Sequence, residues 1–199
     1  MTHEHVWKPG TPGGRVIVAL HGTGGDEHSL LELVSSLDSS AAILSPRGNV
    51  MEGSSPRFFR RLAEGVFDEA DIIRRANDLA DFIVASGGEY GFGLDQTCAI
   101  GYSNGANIAA ALLLLRPEVF ASAVLIRSMV PLQPQNEPNL IGKRVLMLSG
   151  DSDPILPVEN AQKLEGMFRA YGADVTFELL RAGHSLTRRD LEIAAEWLG

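Results

Sequence analysis

Gly101-Tyr102-Ser103-Asn104-Gly105 stands between two runs of opposite character. Ahead of it Cys98-Ala99-Ile100 is a short apolar run that reads as a buried strand. Behind it residues 106–115, rich in Ala and Leu, read as a helix. A G-x-S-x-G turn that tight strains the serine backbone and needs glycine where strand and helix approach each other. It holds the Ser103 hydroxyl clear of its neighbours, at a helix N-terminus that favours developing negative charge.

Outward from this turn, apolar runs alternate with longer amphipathic stretches, the pattern of a mainly parallel sheet covered by helices. Residues 16–20 predict a fully buried strand. Residues 27–37 predict a helix, with Leu30, Leu31, Val34 and Leu37 on one face. A strand over 41–44 precedes a long loop over 45–65, rich in Gly, Pro, Ser and Arg. A long helix over 67–86 is expected to stop at Gly87-Gly88. Strands follow over 121–126, 145–149 and 175–180, and helices over 159–171 and 187–198. There is no repeat and no linker. One domain is expected over residues 15–199, behind a loose N-terminal extension over 1–14.

An activated serine needs a base, and the base needs an orienting acid. In folds that carry this turn the chain order is serine, acid, histidine. His184 is the only histidine after Ser103, on a loop between the last strand and the last helix. Such loops, at the carboxyl edge of a parallel sheet, are where these sheets place their sites. The acid should follow the 145–149 strand, where Asp151 and Asp153 both stand. Asp153 is favoured: Pro154 holds it extended, and it lies further out along the loop. Asp151 suits a turn-capping role. The acid would keep His184 in the tautomer that accepts the Ser103 proton.

An oxyanion hole needs two backbone N–H groups aimed at one point. Asn104 supplies the first, directly after the serine. The second should come from His21-Gly22-Thr23-Gly24-Gly25-Asp26, after the first buried strand. Thr23 is the choice and Gly24 the alternative. The loop lacks both G-x-G-x-x-G and a Gly-Lys-Ser/Thr ending, so a phosphate cradle is disfavoured. His21 precedes the serine and suits a structural hydrogen bond.

With these residues placed, the chain resembles α/β-hydrolases of the phospholipase/carboxylesterase family. The resemblance rests on His21-Gly22-Thr23-Gly24-Gly25, Ser45-Pro46-Arg47-Gly48, the Ser103 turn with Ala106, residues 150–157 and Gly183-His184. It implies an α/β-hydrolase fold, with Ser103 as nucleophile, Asp153 as acid, His184 as base and Thr23 and Asn104 as oxyanion donors. It is nearest to small bacterial esterases often encoded near aromatic-ring-cleaving dioxygenases. Dienelactone hydrolases share the fold but use a cysteine where Ser103 stands, so that activity is not carried over. The resemblance also allows a homodimer.

Only residues 127–142 separate the strand after the Ser103 helix from the next strand, too few for a helical cap domain. The site should be shallow and roofed by loops. Met51, Phe58, Phe59, Met129, Leu156 and Leu186 are the candidate walls, with Arg57, Arg60 and Arg61 flanking the two phenylalanines. Phe58 and Phe59 are equally suited to anchoring the loop on the core. Arg127 ends a buried strand, and a charge there needs a partner, either an acidic side chain or an anionic substrate.

The 199 residues are 45% hydrophobic and 21% charged, with net charge −8, which suits one acidic globular domain and disfavours nucleic acid and anionic membrane as partners. Cys98 is the only cysteine, so no internal disulfide forms and a reducing compartment is permitted. Residues 1–14 lack an apolar core of the kind signal peptides carry, and no apolar stretch is long enough to span a bilayer. The expectation is a cytoplasmic serine hydrolase that cleaves small or aromatic carboxylic esters through an acyl-enzyme, without metal or cofactor. A lysophospholipase or acyl-protein thioesterase is the enzymatic alternative. A hydrolase-fold binding scaffold is the non-enzymatic one.

Overall fold

The computed structural model describes residues 3–199. Seven strands form one sheet: β1 (His5–Lys8), β2 (Val16–Leu20), β3 (Ala42–Pro46) and, past two small hairpins, β8 (Thr97–Tyr102), β9 (Ser122–Ile126), β10 (Arg144–Gly150) and β11 (Asp174–Leu180). The spatial order is β1-β3-β2-β8-β9-β10-β11, and every neighbouring pair is parallel except β1 with β3. The hairpins are β4 (Val50–Glu52) with β5 (Ser55–Arg57), and β6 (Arg61–Ala63) with β7 (Val66–Phe67). They structure the segment expected as one long loop.

Side chains alternate across the sheet, as a strand's two-residue period demands. From β2, Val18 and Leu20 enter one core while Ile17 and Ala19 enter the other. The first core is closed by α2 (Glu69–Tyr90), α3 (Asn104–Leu115) and α4 (Val158–Ala170). The second is closed by α1 (Leu31–Leu37) and α5 (Arg188–Leu198). Helix α3 lies between the sheet and α2, and residues 104–114 are all buried. That is why, after the buried Asn104 and Asn107 of its first turn, it is apolar on all sides and mostly Ala and Leu.

Three expectations change. Helix α2 runs through Gly87-Gly88 to Tyr90 and stops at Gly91, whose φ of 77° is left-handed. The Gly91 and Phe92 N–H groups both donate to the Gly87 carbonyl, at 2.9 and 3.0 Å, so a left-handed glycine ends the helix while interior ones merely weaken it. Helix α1 begins at Leu31 rather than near Glu27. Asp26 takes up the start of the segment, its Oδ1 accepting from His28 N at 3.0 Å and Ser29 Oγ at 2.9 Å. Finally, part of the expected N-terminal extension is built into the sheet. Trp7 stacks on Tyr90 with ring centroids 4.5 Å apart, which fixes β1 against the end of α2 while it pairs antiparallel with β3. His3 is buried, its Nδ1–H donating to the Arg47 carbonyl at 2.9 Å.

The turn into α3 depends on glycine. Ser103 has φ 52° and ψ −112°, and a Cβ on Gly105 would lie 2.0 Å from the Leu20 carbonyl oxygen. Helix α3 and strand β2 meet backbone to backbone there. Gly105→Ala is expected to cost about 2–3 kcal/mol of stability, read from urea unfolding. An unchanged midpoint would mean that the helix can shift away from β2 at no cost.

Cys98 is buried in β8 and is a free thiol; burial pushes its pKa up to about 11. Among the described residues no helix is long and apolar enough to cross a membrane.

Candidate active site

Three loops at the carboxyl edge of the sheet bring together the residues singled out by position. Strand β8 delivers Ser103, whose N–H donates to the Ile126 carbonyl on β9 at 2.9 Å. The loop after β10 delivers Asp153, and the loop after β11 delivers His184. His184 Nε2 lies 2.9 Å from Ser103 Oγ, and His184 Nδ1 lies 2.8 Å from Asp153 Oδ2. The other Asp153 oxygen, Oδ1, accepts from the Ile155 and Leu156 N–H groups at 2.8 and 3.1 Å. The Asp153 side chain is therefore buried and aimed, with each oxygen committed. Asp151 is exposed, and its N–H is taken by the Leu180 carbonyl. The acid and histidine loops are tied together where Ser152 N and Oγ both donate to the Ala182 carbonyl, at 3.2 and 3.1 Å.

The histidine loop is also held from below. Arg127, with φ 58° and no exposed surface, reaches it through Nε–H to the Gly183 carbonyl at 2.9 Å and Nη2–H to the Ser185 carbonyl at 3.2 Å. Its two Nη groups also clamp Asp190 Oδ1 and Oδ2 at 2.7 and 2.9 Å. Arg127 thus has an acidic partner and lies beneath the site rather than in its wall. Asp190 caps α5 in turn, accepting from Thr187 N at 2.8 Å.

The loop after β2 faces Ser103. Gly24 N–H is engaged by the Pro56 carbonyl at 2.9 Å. Asn104 opens α3, so its N–H is one of the donors that a helix leaves without an internal acceptor. His21 is buried between two backbone groups: Nδ1–H donates to the Gly22 carbonyl at 2.7 Å, and Nε2 accepts from Gly48 N–H at 2.9 Å. That pairing fixes a neutral ring, and burial lowers its pKa.

A pocket of about 250 Å³ opens over Ser103 and His184, with Thr23 and Asn104 in its wall. Of the expected apolar walls, Met129 and Leu156 line it. Met129 is set in place by its N–H donating to Asn107 Oδ1 at 2.9 Å. Phe58 and Phe59 are core anchors, 2% and 0% exposed, and Phe58 N–H donates to Asn104 Oδ1 at 2.7 Å. Met51 points outward on the β4–β5 hairpin, 60% exposed. Leu186 packs against the α1–α5 core. These four do not line the pocket, because the hairpins turn the aromatic pair inward and lift Met51 away.

Arg57, Arg61, Phe67, Tyr102, Asn107 and Ile155 line it as well. The arginines stood out in sequence only as neighbours of the phenylalanines. Their directions depend on hairpin pairing, which sets Val50 opposite Arg57 in β4–β5 and Phe67 opposite Arg61 in β6–β7. Tyr102 lies inside the G-x-S-x-G turn, and its hydroxyl donates to the His184 carbonyl at 3.2 Å.

Known proteins share this fold. The family model described as phospholipase/carboxylesterase matches residues 1–199. The putative hydrolase MhqD of Bacillus subtilis is 41% identical over 194 residues, 98% of this chain and 96% of its own. The carboxylesterase of Bacillus cereus superposes with a TM-score of 0.95 at 44% identity, covering 98% of this chain and 92% of that one. YahD, whose structure was determined with malic acid, superposes with a TM-score of 0.93 at 28% identity over 99% and 98% of the two chains. The mainly parallel sheet with helices on both faces is thus an α/β-hydrolase fold, and the chain belongs to the phospholipase/carboxylesterase family of hydrolases.

Proposed function

We propose that the protein is a serine hydrolase that cleaves small carboxylic esters through an acyl-enzyme. The observation that carries this is the position of His184, with one ring nitrogen on Ser103 Oγ and the other on Asp153 Oδ2. The Asp153 carboxylate holds the proton on Nδ1, which leaves Nε2 free to accept the Ser103 proton. Ser103 Oγ then attacks the ester carbonyl carbon, and the carbonyl oxygen gathers negative charge. Thr23 and Asn104 N–H are the donors for it, since Gly24 N–H already serves Pro56. As the intermediate collapses, the alcohol leaves with the proton from His184 Nε2. Water, losing a proton to the same nitrogen, attacks the acyl carbon; on collapse that proton returns to Ser103 Oγ, releasing the acid.

A pocket of about 250 Å³ with polar and apolar walls suits a small acyl group. YahD, with its malic acid, is a relative found with a small hydroxy diacid. The chemistry uses no cofactor, and an acidic chain with one buried cysteine suits the cytoplasm. A lysophospholipase or thioesterase reading draws on one observation. Gly65, Phe67 and Met129 also wall an adjoining hollow of about 310 Å³ that continues past Val130 and Leu132. Hydrolysis of p-nitrophenyl esters from acetate to laurate separates the two. The expected result is a maximum at short chains with a fluorophosphonate label mapped to Ser103. A maximum at long chains would favour the second reading. No turnover with no label would return the chain to a binding scaffold.

A further inference from the structure

Among the described residues two arginines are buried, and they are treated differently. Arg127 has a committed counter-ion in Asp190, also without exposed surface. Arg57, only 3% exposed, reaches the pocket wall beside Ser103 without one. Its Nε–H donates to the Phe59 carbonyl at 3.1 Å, and its Nη1–H to Thr23 Oγ1 at 2.6 Å. Those bonds use two of a guanidinium's five donors. The nearest carboxylate is Glu52, 3.4 Å from Nε. Glu52 is committed to Arg61, whose Nε and Nη2 approach its oxygens at 3.1, 3.0 and 2.6 Å. The wall therefore carries two cations, Arg57 and Arg61, that share the single carboxylate of Glu52 outside the wall, and the buried cation is the under-compensated one. Burial and the Arg61 charge both lower the Arg57 pKa, while Glu52 raises it.

A buried charge whose nearest counter-ion is solvent-exposed and shared with a second cation is costly to keep, and a ligand anion would complete it. A guanidinium fork matches a carboxylate and binds it with two parallel hydrogen bonds. Arg57 also touches Thr23, a residue of the proposed oxyanion hole, so a carboxylate on Arg57 would lie a short chain away from an ester carbonyl on Ser103.

We propose that Arg57 is the recognition group for a free carboxylate on the substrate, which makes the pocket selective for half-esters of small dicarboxylic acids. The inference rests on the ester-hydrolase reading for its turnover test but not for its binding test. Monoethyl succinate and ethyl butyrate have acyl chains of equal length, ending in a carboxylate and a methyl group. Wild type is expected to favour monoethyl succinate by about tenfold or more in kcat/KM. Arg57→Met should bring the ratio close to one, and Arg57→Lys should keep part of it. Glu52→Gln, which removes the competing anion, should raise it. Taking the ratio divides out any general loss caused by disturbing Thr23. A wild-type ratio near one, or a ratio unchanged in Arg57→Met, overturns the proposal. Succinate titrated into Ser103→Ala by calorimetry reads the subsite without turnover. Binding is expected there and should be lost when Arg57→Met is added; no binding overturns the subsite. If wild type cleaves neither ester and takes no fluorophosphonate label, while succinate still binds through Arg57, the hydrolase reading fails and the subsite stands.

Discussion

Asp153→Asn is expected to lower kcat for ester hydrolysis about ten-thousand-fold while leaving the fold intact, the size of effect found when the orienting acid of a serine triad is neutralised. The geometry says why an amide is worse than merely uncharged. Asp153 Oδ1 accepts two backbone N–H groups, from Ile155 and Leu156. An asparagine would keep its carbonyl oxygen on those donors and turn its NH2 toward His184. His184 Nδ1 would then have to accept, the ring proton would move to Nε2, and Nε2 could no longer take the proton from Ser103. Steady-state kinetics beside a thermal melt checks this. A loss of less than tenfold would mean that His184 is oriented by something other than Asp153. An equally large fall in melting temperature would mean that the acid is a structural clamp for its loop.

Breaking the Arg127–Asp190 pair is expected to have the second largest effect. Arg127→Met leaves the Asp190 carboxylate fully buried, with only the Thr187 N–H and hydroxyl as donors. Removing one partner of a buried pair costs about 3–5 kcal/mol, because the remaining charge is stranded. Replacing both partners, as in Arg127→Met with Asp190→Leu, should restore much of that stability. It should not restore activity, because the Gly183 and Ser185 carbonyls on either side of His184 have each lost their donor. Urea unfolding and kcat measured on the same three proteins test both halves. A single variant that loses less than about 1 kcal/mol would show that water reaches the site and screens the charge.

The two parts of this site differ in how visible they are from sequence, for a physical reason. Ser103 announces itself because a strand–turn–helix imposes glycines at fixed offsets. His184 follows because no other histidine comes later in the chain, and Asp153 because a proline fixes the backbone beside it. Each of these is a local constraint joined to chain order. The strands behave likewise: residues 16–20 are apolar at every position because both faces of β2 are buried. Arg127 is the opposite case. That it needs a partner can be read from a charge ending a buried strand, but its partner Asp190 lies 63 residues away. The direction of Arg57 is likewise hidden, since it is decided by hairpin pairing within a segment that reads only as Gly- and Pro-rich. Gly87-Gly88 misleads because glycine weakens a helix interior without ending it, and the left-handed residue that does end α2 comes three positions after Gly88.

Cys98 has a practical side. The chain's single thiol is sealed within β8 and, with burial pushing its pKa up to about 11, is almost wholly un-ionised at neutral pH, so maleimides and iodoacetamides find no reactive thiol on the native molecule. A cysteine introduced at an exposed position, such as Met51 on the β4–β5 hairpin, becomes a unique attachment point for a fluorophore or spin label. The hairpins that wall the pocket can then be followed during turnover without first stripping the protein of its own cysteine.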